Sequence, residues 1–305
     1  MMLNIFNYIV PAVDEMKIER LKLITTNIIS STSNAIYGWK PFNPILGETF
    51  QATIVPYDYD TNSNYSPIDI YVEQIKHHPP IYNYYGKHDK FEFYGYRETS
   101  VKGGGNSIEA QILGNSVFKF NDGTKIVITY PRFSFSGLLV GPKMFNFNGY
   151  FVVHDQTNGL KSIIALGKNS VDKINKKKSS LIGNIFKKKE LNFPDYFKGF
   201  IAADSNINYD KKSDTYSVND EDCLCKFEGE YTNYITFDGK VYWNNEENNK
   251  LAVFKKHNFT IPSDCRLRSD ILLYKDKKID LAQCAKMMLE DLQRRDCKLR
   301  KKYTK

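Results

Sequence analysis

Residues 68–80 read Ile68-Asp69-Ile70-Tyr71-Val72-Glu73-Gln74-Ile75-Lys76-His77-His78-Pro79-Pro80. Ile68, Ile70 and Val72 alternate with Asp69, Tyr71 and Glu73, the two-residue period of a strand with one buried face. The strand runs into two histidines and two prolines. The prolines fix their own φ and bias His78 toward extended geometry, so the strand end becomes a rigid corner. Comparable runs recur at Thr124–Tyr130, Tyr150–Val153, Lys161–Leu166, Phe227–Phe237, Lys240–Trp243 and Leu251–Phe254. Asp122-Gly123, Asn158-Gly159 and Asp238-Gly239 supply residues suited to the left-handed positions of tight hairpins. The pattern predicts an antiparallel, mainly β body.

Helical spacing replaces this period at the two ends. Met16, Leu21, Ile24 and Ile28 predict one amphipathic helix over residues 14–33, with Pro11 before it and Gly38 after it. Leu281, Ala285, Met288 and Leu292 predict a terminal helix running into a basic tail. Residues 205–222 and 244–250 are polar and read as surface loops. No Pro/Gly/Ser linker divides the 305 residues, so a single domain is expected.

Composition narrows the function classes. Lys plus Arg number 43 against 35 Asp plus Glu, a formal charge of +8, which admits nucleic acid, a membrane surface or a phosphorylated ligand. The charge is local. The segment 173–189 holds seven Lys and no acid, and residues 286–305 contribute a further +5, which leaves the rest of the chain at −4. That distribution argues against a uniformly basic nucleic-acid-binding body. Five cysteines without a CxxC pair suggest neither a disulfide framework nor a zinc site. The start MMLNIFNYIVPAV lacks a basic leader, and no stretch approaches a spanning helix, so a cytoplasmic protein is expected. No GxSxG, Walker, HExxH or kinase pattern is present, which leaves an enzyme unsupported.

Three segments concentrate chemistry. His77 and His78 place two imidazoles at one strand end, but adjacent histidines seldom chelate one metal; a surface turn with solvated histidines is the alternative. Lys40-Pro41-Phe42-Asn43-Pro44 holds a cation and an amide in a Pro-stiffened turn, or is simply a connector. Lys286, Glu290 and Arg294 share one helical stripe, or form two exposed ion pairs worth ~0.3–0.5 kcal/mol each.

Together these segments resemble the oxysterol-binding protein related family. Its Glu-Gln-Val-Ser-His-His-Pro-Pro hallmark stands here as Glu73 to Pro80, with Ile75 and Lys76 in place of Val and Ser. The resemblance continues through Gly103–Ile108 and Ile261–Asp270, and ends in Lys286, Glu290 and Arg294 at the spacing of the family's closing helix. It implies an incomplete antiparallel barrel around a lipid tunnel, divided as an N-terminal helical or lid region (1–38), barrel (39–260) and C-terminal helical segment (261–305). It also implies binding of phosphatidylinositol 4-phosphate without a cofactor: His77, His78 and Arg294 on the ring phosphate, Lys40 and Lys286 on the glycerol-linked phosphate, Glu290 on an inositol hydroxyl, and Asn43 as a polar contact. In that family the tunnel exchanges this lipid for a sterol or phosphatidylserine. The roughly forty residues before the Pro-rich turn are fewer than the family usually places there, so an abbreviated lid is expected. That keeps a second reading open, a phosphoinositide sensor or scaffold that binds the head group without moving lipid; on either reading a monomer is expected.

The lysine-rich segment is the expected anionic-membrane contact. Lys176, Lys177, Lys178, Lys187, Lys188 and Lys189 flank Ile182 and Phe186. Each Lys near an anionic leaflet contributes ~1 kcal/mol; a solvated loop is the plainer reading.

Overall fold

The computed structural model describes residues 5–15, 17–36, 42–56, 66–174, 195–246, 253–256 and 261–303. The alternating runs build a fifteen-stranded antiparallel sheet. Thr49–Val55, Ile68–Lys76, Ile81–Lys87 and Phe91–Gly104 lie side by side in chain order. The last of these is long enough to pair with two strands along its far edge, Ser116–Phe120 near its start and Ser107–Leu113 near its end. The two branches rejoin on Met144–Asp155, through Arg132–Ser136 and Lys125–Thr129. From there the order runs through Leu160–Leu166, Tyr196–Ala203, Cys223–Glu230 and Tyr234–Phe237 to the edge strand Lys240–Asn244. The other edge is Val253–Lys256, paired with Thr49–Val55. Among the described residues the two edges do not pair, so the sheet curls without closing.

Helices fill the inner side. Helix α1 (Ile5–Ala12) and helix α2 (Lys17–Ile36) meet at a turn in which Val13 N and Asp14 N donate to Val10 O and Pro11 O. Ile5, Ile9, Leu21, Ile24 and Ile28 pack with Phe93, Phe118, Ile126, Ile128, Phe197 and Phe227 from the strands in one core. The N-terminal region is therefore two helices where the spacing predicts one. The start of the chain is apolar nearly throughout, and a helix buried on most sides shows no polar face to mark its period.

Arg20, only 2% exposed, locks this pair to the sheet. Its guanidinium donates to Ala12 O at 2.9 Å, Val13 O at 2.9 Å and Thr124 Oγ1 at 2.7 Å, and pairs with Asp122 Oδ2 at 2.7 Å. The hydrogen bond from Arg20, reinforced by the backbone of Thr124, holds the Asp122 carboxyl at about 2.

Each Gly-containing turn lies where the sequence places it. Asp238 and Gly239 both take positive φ (46° and 83°), as a two-residue hairpin with matching strand twist requires. The reading of residues 205–222 as loop needs correction. They contain the hairpin Asn208–Asp210 and Thr215–Ser217, stacked through Tyr209 and Tyr216 at 4.6 Å, and Val218 is buried in a second core cluster. Three-residue strands are too short to display a period.

Helix α3 (Lys168–Lys173) ends the described part of the lysine-rich segment; Lys176–Lys178, Ile182, Phe186 and Lys187–Lys189 lie outside the described residues. The chain closes with helix α4 (Ser269–Lys275) and helix α5 (Ile279–Tyr303), packed against each other.

Candidate functional site

A cavity of about 690 Å³ lies where the end of strand Ile68–Lys76, the turn before strand Thr49–Val55, and helix α5 converge. Asn43, His77, His78, Glu290 and Arg294 line it. Five of the seven expected head-group residues, separated by up to 251 positions in sequence, are thus brought to one site. Lys286 is one turn further back on α5 and reaches the cavity only through Glu290, 3.8 Å away. Lys40 lies outside the described residues.

The two histidines share the cavity because the strand is irregular where it ends. Its register with Ile81–Lys87 slips between Gln74 and Lys76, leaving an extra residue, and the chain turns at His77–Pro80. A bulge breaks side-chain alternation. Ile75, Lys76, His77 and His78 consequently all line one cavity, which four successive residues of a regular strand cannot do. The two imidazole rings stand 4.4 Å apart.

His77 is tuned by its surroundings. Burial, and then the neighbouring His78, pull its pKa below the ordinary imidazole value, while Glu290 acts in the opposite sense. Its Nδ1 is 2.9 Å from the amide nitrogen of Gln74, a side chain 2% exposed whose amide oxygen has no partner among the described residues. An amide can turn over. Gln74 donates to neutral His77 through Nε2, and by flipping it accepts from the imidazolium through Oε1.

Arg268 explains why the Asn43 turn faces the histidines. Its Nη1 donates to Asn43 O at 2.9 Å and Glu48 Oε2 at 2.5 Å, while Nε and Nη2 hold Asp270, fully buried, at 3.0 and 2.5 Å. Glu48 Oε2 also accepts from Ile45 N at 2.9 Å. Gly47 N donates to Gln74 O at 2.8 Å, and Gln74 N to Glu48 O at 2.9 Å, tying this turn to the histidine strand. A second brace lies beside it. Asp264 accepts from Arg266 N at 2.9 Å and Gln51 N at 3.2 Å, and Arg266 donates to Gln51 O. Burial alone would raise the Asp264 carboxyl, but the Arg266 guanidinium, donating to it through Nε and Nη2 at 2.8 Å each, and then the two backbone donors outweigh burial and hold the pKa below the usual range. Segment 261–270 is therefore the strap between helix α4 and the first strand.

Sequence reading missed several lining residues. Lys76, Arg268, Lys298, Arg300 and Lys301 add cationic side chains, of which Arg268 is engaged by Glu48 and Asp270 and Arg300 by Asp296. The signal was available on α5, where Glu290, Arg294, Cys297 and Lys301 follow helical spacing. Pro44, Ile45, Leu46 and Ile75 supply an apolar side. Among the described residues the lining is strongly cationic with Glu290 as its one carboxylate, which suits a phosphorylated polyol, since Arg and Lys can neutralise phosphate and a carboxylate can accept from a hydroxyl. A larger cavity, about 780 Å³, opens among Tyr71, Tyr85, Tyr94 and Tyr96, but no cation lines it among the described residues.

Known proteins resemble this chain along nearly its whole length. The profile described as "Oxysterol-binding protein" matches residues 2–305. The chain belongs to the oxysterol-binding protein family. "Oxysterol-binding protein 9" of Dictyostelium discoideum is 29% identical over 283 residues, covering 92% of this chain and 61% of that protein. Human "Oxysterol-binding protein-related protein 8" is 32% identical over 157 residues, 50% of this chain and 17% of the relative. This family member thus spans about three-fifths or less of both relatives. Two solved structures share its fold. One is the ORD of Osh3 from Saccharomyces cerevisiae in complex with PI(4)P, at TM-score 0.68 and 21% identity, covering 97% of this chain and 75% of that one. The other is the Osh1 ORD domain in complex with cholesterol, at TM-score 0.68 and 18% identity, covering 98% and 71%.

Proposed function

We propose that this protein binds phosphatidylinositol 4-phosphate by its head group in the cavity of Asn43, His77, His78, Glu290 and Arg294, and exchanges it between membranes for a second lipid, a sterol or phosphatidylserine. The observation that carries this reading is the convergence of those five side chains on one cationic cavity beside an apolar wall. His77, His78 and Arg294 hold the ring phosphate, Glu290 accepts from an inositol hydroxyl, Asn43 adds a polar contact, and Lys40 with Lys286 takes the glycerol-linked phosphate. The apolar side of the cavity, Pro44, Ile45, Leu46 and Ile75, meets the start of the hydrocarbon part, each buried CH₂ contributing about 0.8 kcal/mol. No covalent step is needed, and the lysine-rich segment 173–189 supplies transient contact with anionic membranes.

Mass spectrometry of lipids co-purifying with the protein and with a His77→Ala/His78→Ala variant tests the site. The expected result is phosphatidylinositol 4-phosphate in the wild type and its loss from a folded variant. Retention in the variant removes these roles. Transfer of labelled lipid between donor and acceptor vesicles then separates exchange from head-group sensing, because a sensor binds without moving cargo.

A further inference from the structure

Helix α5 carries its polar and apolar faces the wrong way round for a helix packed on a globular body. Of its 25 residues only Ala282 is buried. Leu281, Met288, Leu292, Leu299 and Tyr303 are each more than half exposed. At 3.6 residues per turn these five fall within a sector about 60° wide. Glu290, Arg294, Cys297 and Lys301, which line the cavity, centre on the opposite side of the same helix. The usual orientation is the reverse, with the apolar stripe toward the core.

Charge identifies what the outward face fits. Residues 294–303 hold six cations and one acid. Arg295, Lys302 and Lys298, all exposed, border the apolar sector on one side, where the nearby Asp291 is paired with Arg294 at 3.3 Å; Asp296, on the other border, is paired with Arg300 at 2.7 Å. Long cationic side chains beside an apolar ridge can bury their stems while their heads meet lipid phosphates. No described helix is long and apolar enough to cross a bilayer, so this face suits lying along one.

We infer that the Leu281–Tyr303 face of α5 docks in the head-group region of an anionic bilayer, presenting the cationic cavity about one helix diameter, 10–12 Å, from the interface. This surface lies on the side of α5 away from the head-group cavity and is separate in sequence from the lysine-rich segment.

The test uses the full chain and phosphatidylcholine vesicles made anionic with phosphatidylglycerol, so that neither the head-group ligand nor a proposed exchange lipid is present. Met288→Glu/Leu292→Glu is expected to lower vesicle binding by at least about tenfold, because burial of two aliphatic side chains is replaced by two charges repelled from the surface. Its unfolding midpoint and its affinity for soluble inositol 1,4-bisphosphate are expected to stay unchanged. A Leu292→Trp variant is expected to shift its emission to the blue when these vesicles are added, and not with phosphatidylcholine alone. Undiminished binding of the double Glu variant, an unshifted emission spectrum of Leu292→Trp, or a wild-type dimer that the Glu substitutions dissociate would each overturn the inference.

Discussion

At the residue scale, the bulge after Gln74 and the amide of Gln74 itself matter most. Burial and His78 hold free His77 below its ordinary pKa, so the free site favours neutral imidazole, whereas a bound phosphate favours imidazolium. Binding an anionic head group therefore takes up a proton, and affinity falls as pH rises from about 6 to about 8. Calorimetry of soluble inositol 1,4-bisphosphate in buffers of different ionisation heat checks this near pH ~6.5; His77→Asn is expected to reduce the proton uptake. Gln74→Glu is expected to raise the His77 pKa, read by NMR titration, by placing a carboxylate at Nδ1. In the unliganded protein the sign is reversed for stability: a depressed histidine pKa leaves its contribution intact above about pH 6.5 and loses it as pH falls toward the folded-state value.

At the element scale, the turn before the first strand, the 261–270 strap and helix α4 form one polar knot around Arg268. The Arg268 side chain is 8% exposed and that of Asp270 is fully buried. Arg268→Met removes the partner of a buried carboxylate and is expected to cost about 3–5 kcal/mol, measured by urea unfolding. The variant is also expected to weaken inositol 1,4-bisphosphate binding, because Asn43 O loses its donor and the turn its anchor. Arg268→Lys is not a rescue, since an ammonium cannot reach Asn43, Glu48 and Asp270 as the guanidinium fork does.

At the scale of the whole molecule, the N-terminal helix pair is part of the core, and Arg20 with Asp122 clamps it to a hairpin about a hundred residues away. The Asp122 carboxyl falls from 3.8 to about 2 on folding. Its contribution to stability is therefore complete above about pH 5 and is lost as pH drops through about 4 toward 2. Asp122→Asn is expected to cost only about 1 kcal/mol at neutral pH, because solvent screens the half-exposed carboxylate even though Arg20 is buried. It is also expected to flatten the acid limb of the stability profile over that window, as followed by urea midpoints from about pH 5 to about pH 2.

Much of the β body was legible in the sequence because its signals are local. Ile68–Val72 alternates, Asp238-Gly239 fits only a narrow set of turns, and both follow from geometry spanning a few residues. The stretches Ile81–Lys87 and Arg132–Ser136 were not singled out, since aromatic and polar residues crowd both faces and blur the period. Five of the seven expected site residues line one cavity. Only the tertiary structure decided that Lys286 stands a turn behind it, that Gln74 contacts His77, and that Lys76, Lys298 and Lys301 share the wall. It also decided which face of α5 meets the protein. The sequence shows an amphipathic helix, but periodicity specifies two faces without assigning either to the interior; that choice depends on side chains brought from the histidine turn and from Asn43, more than two hundred residues earlier.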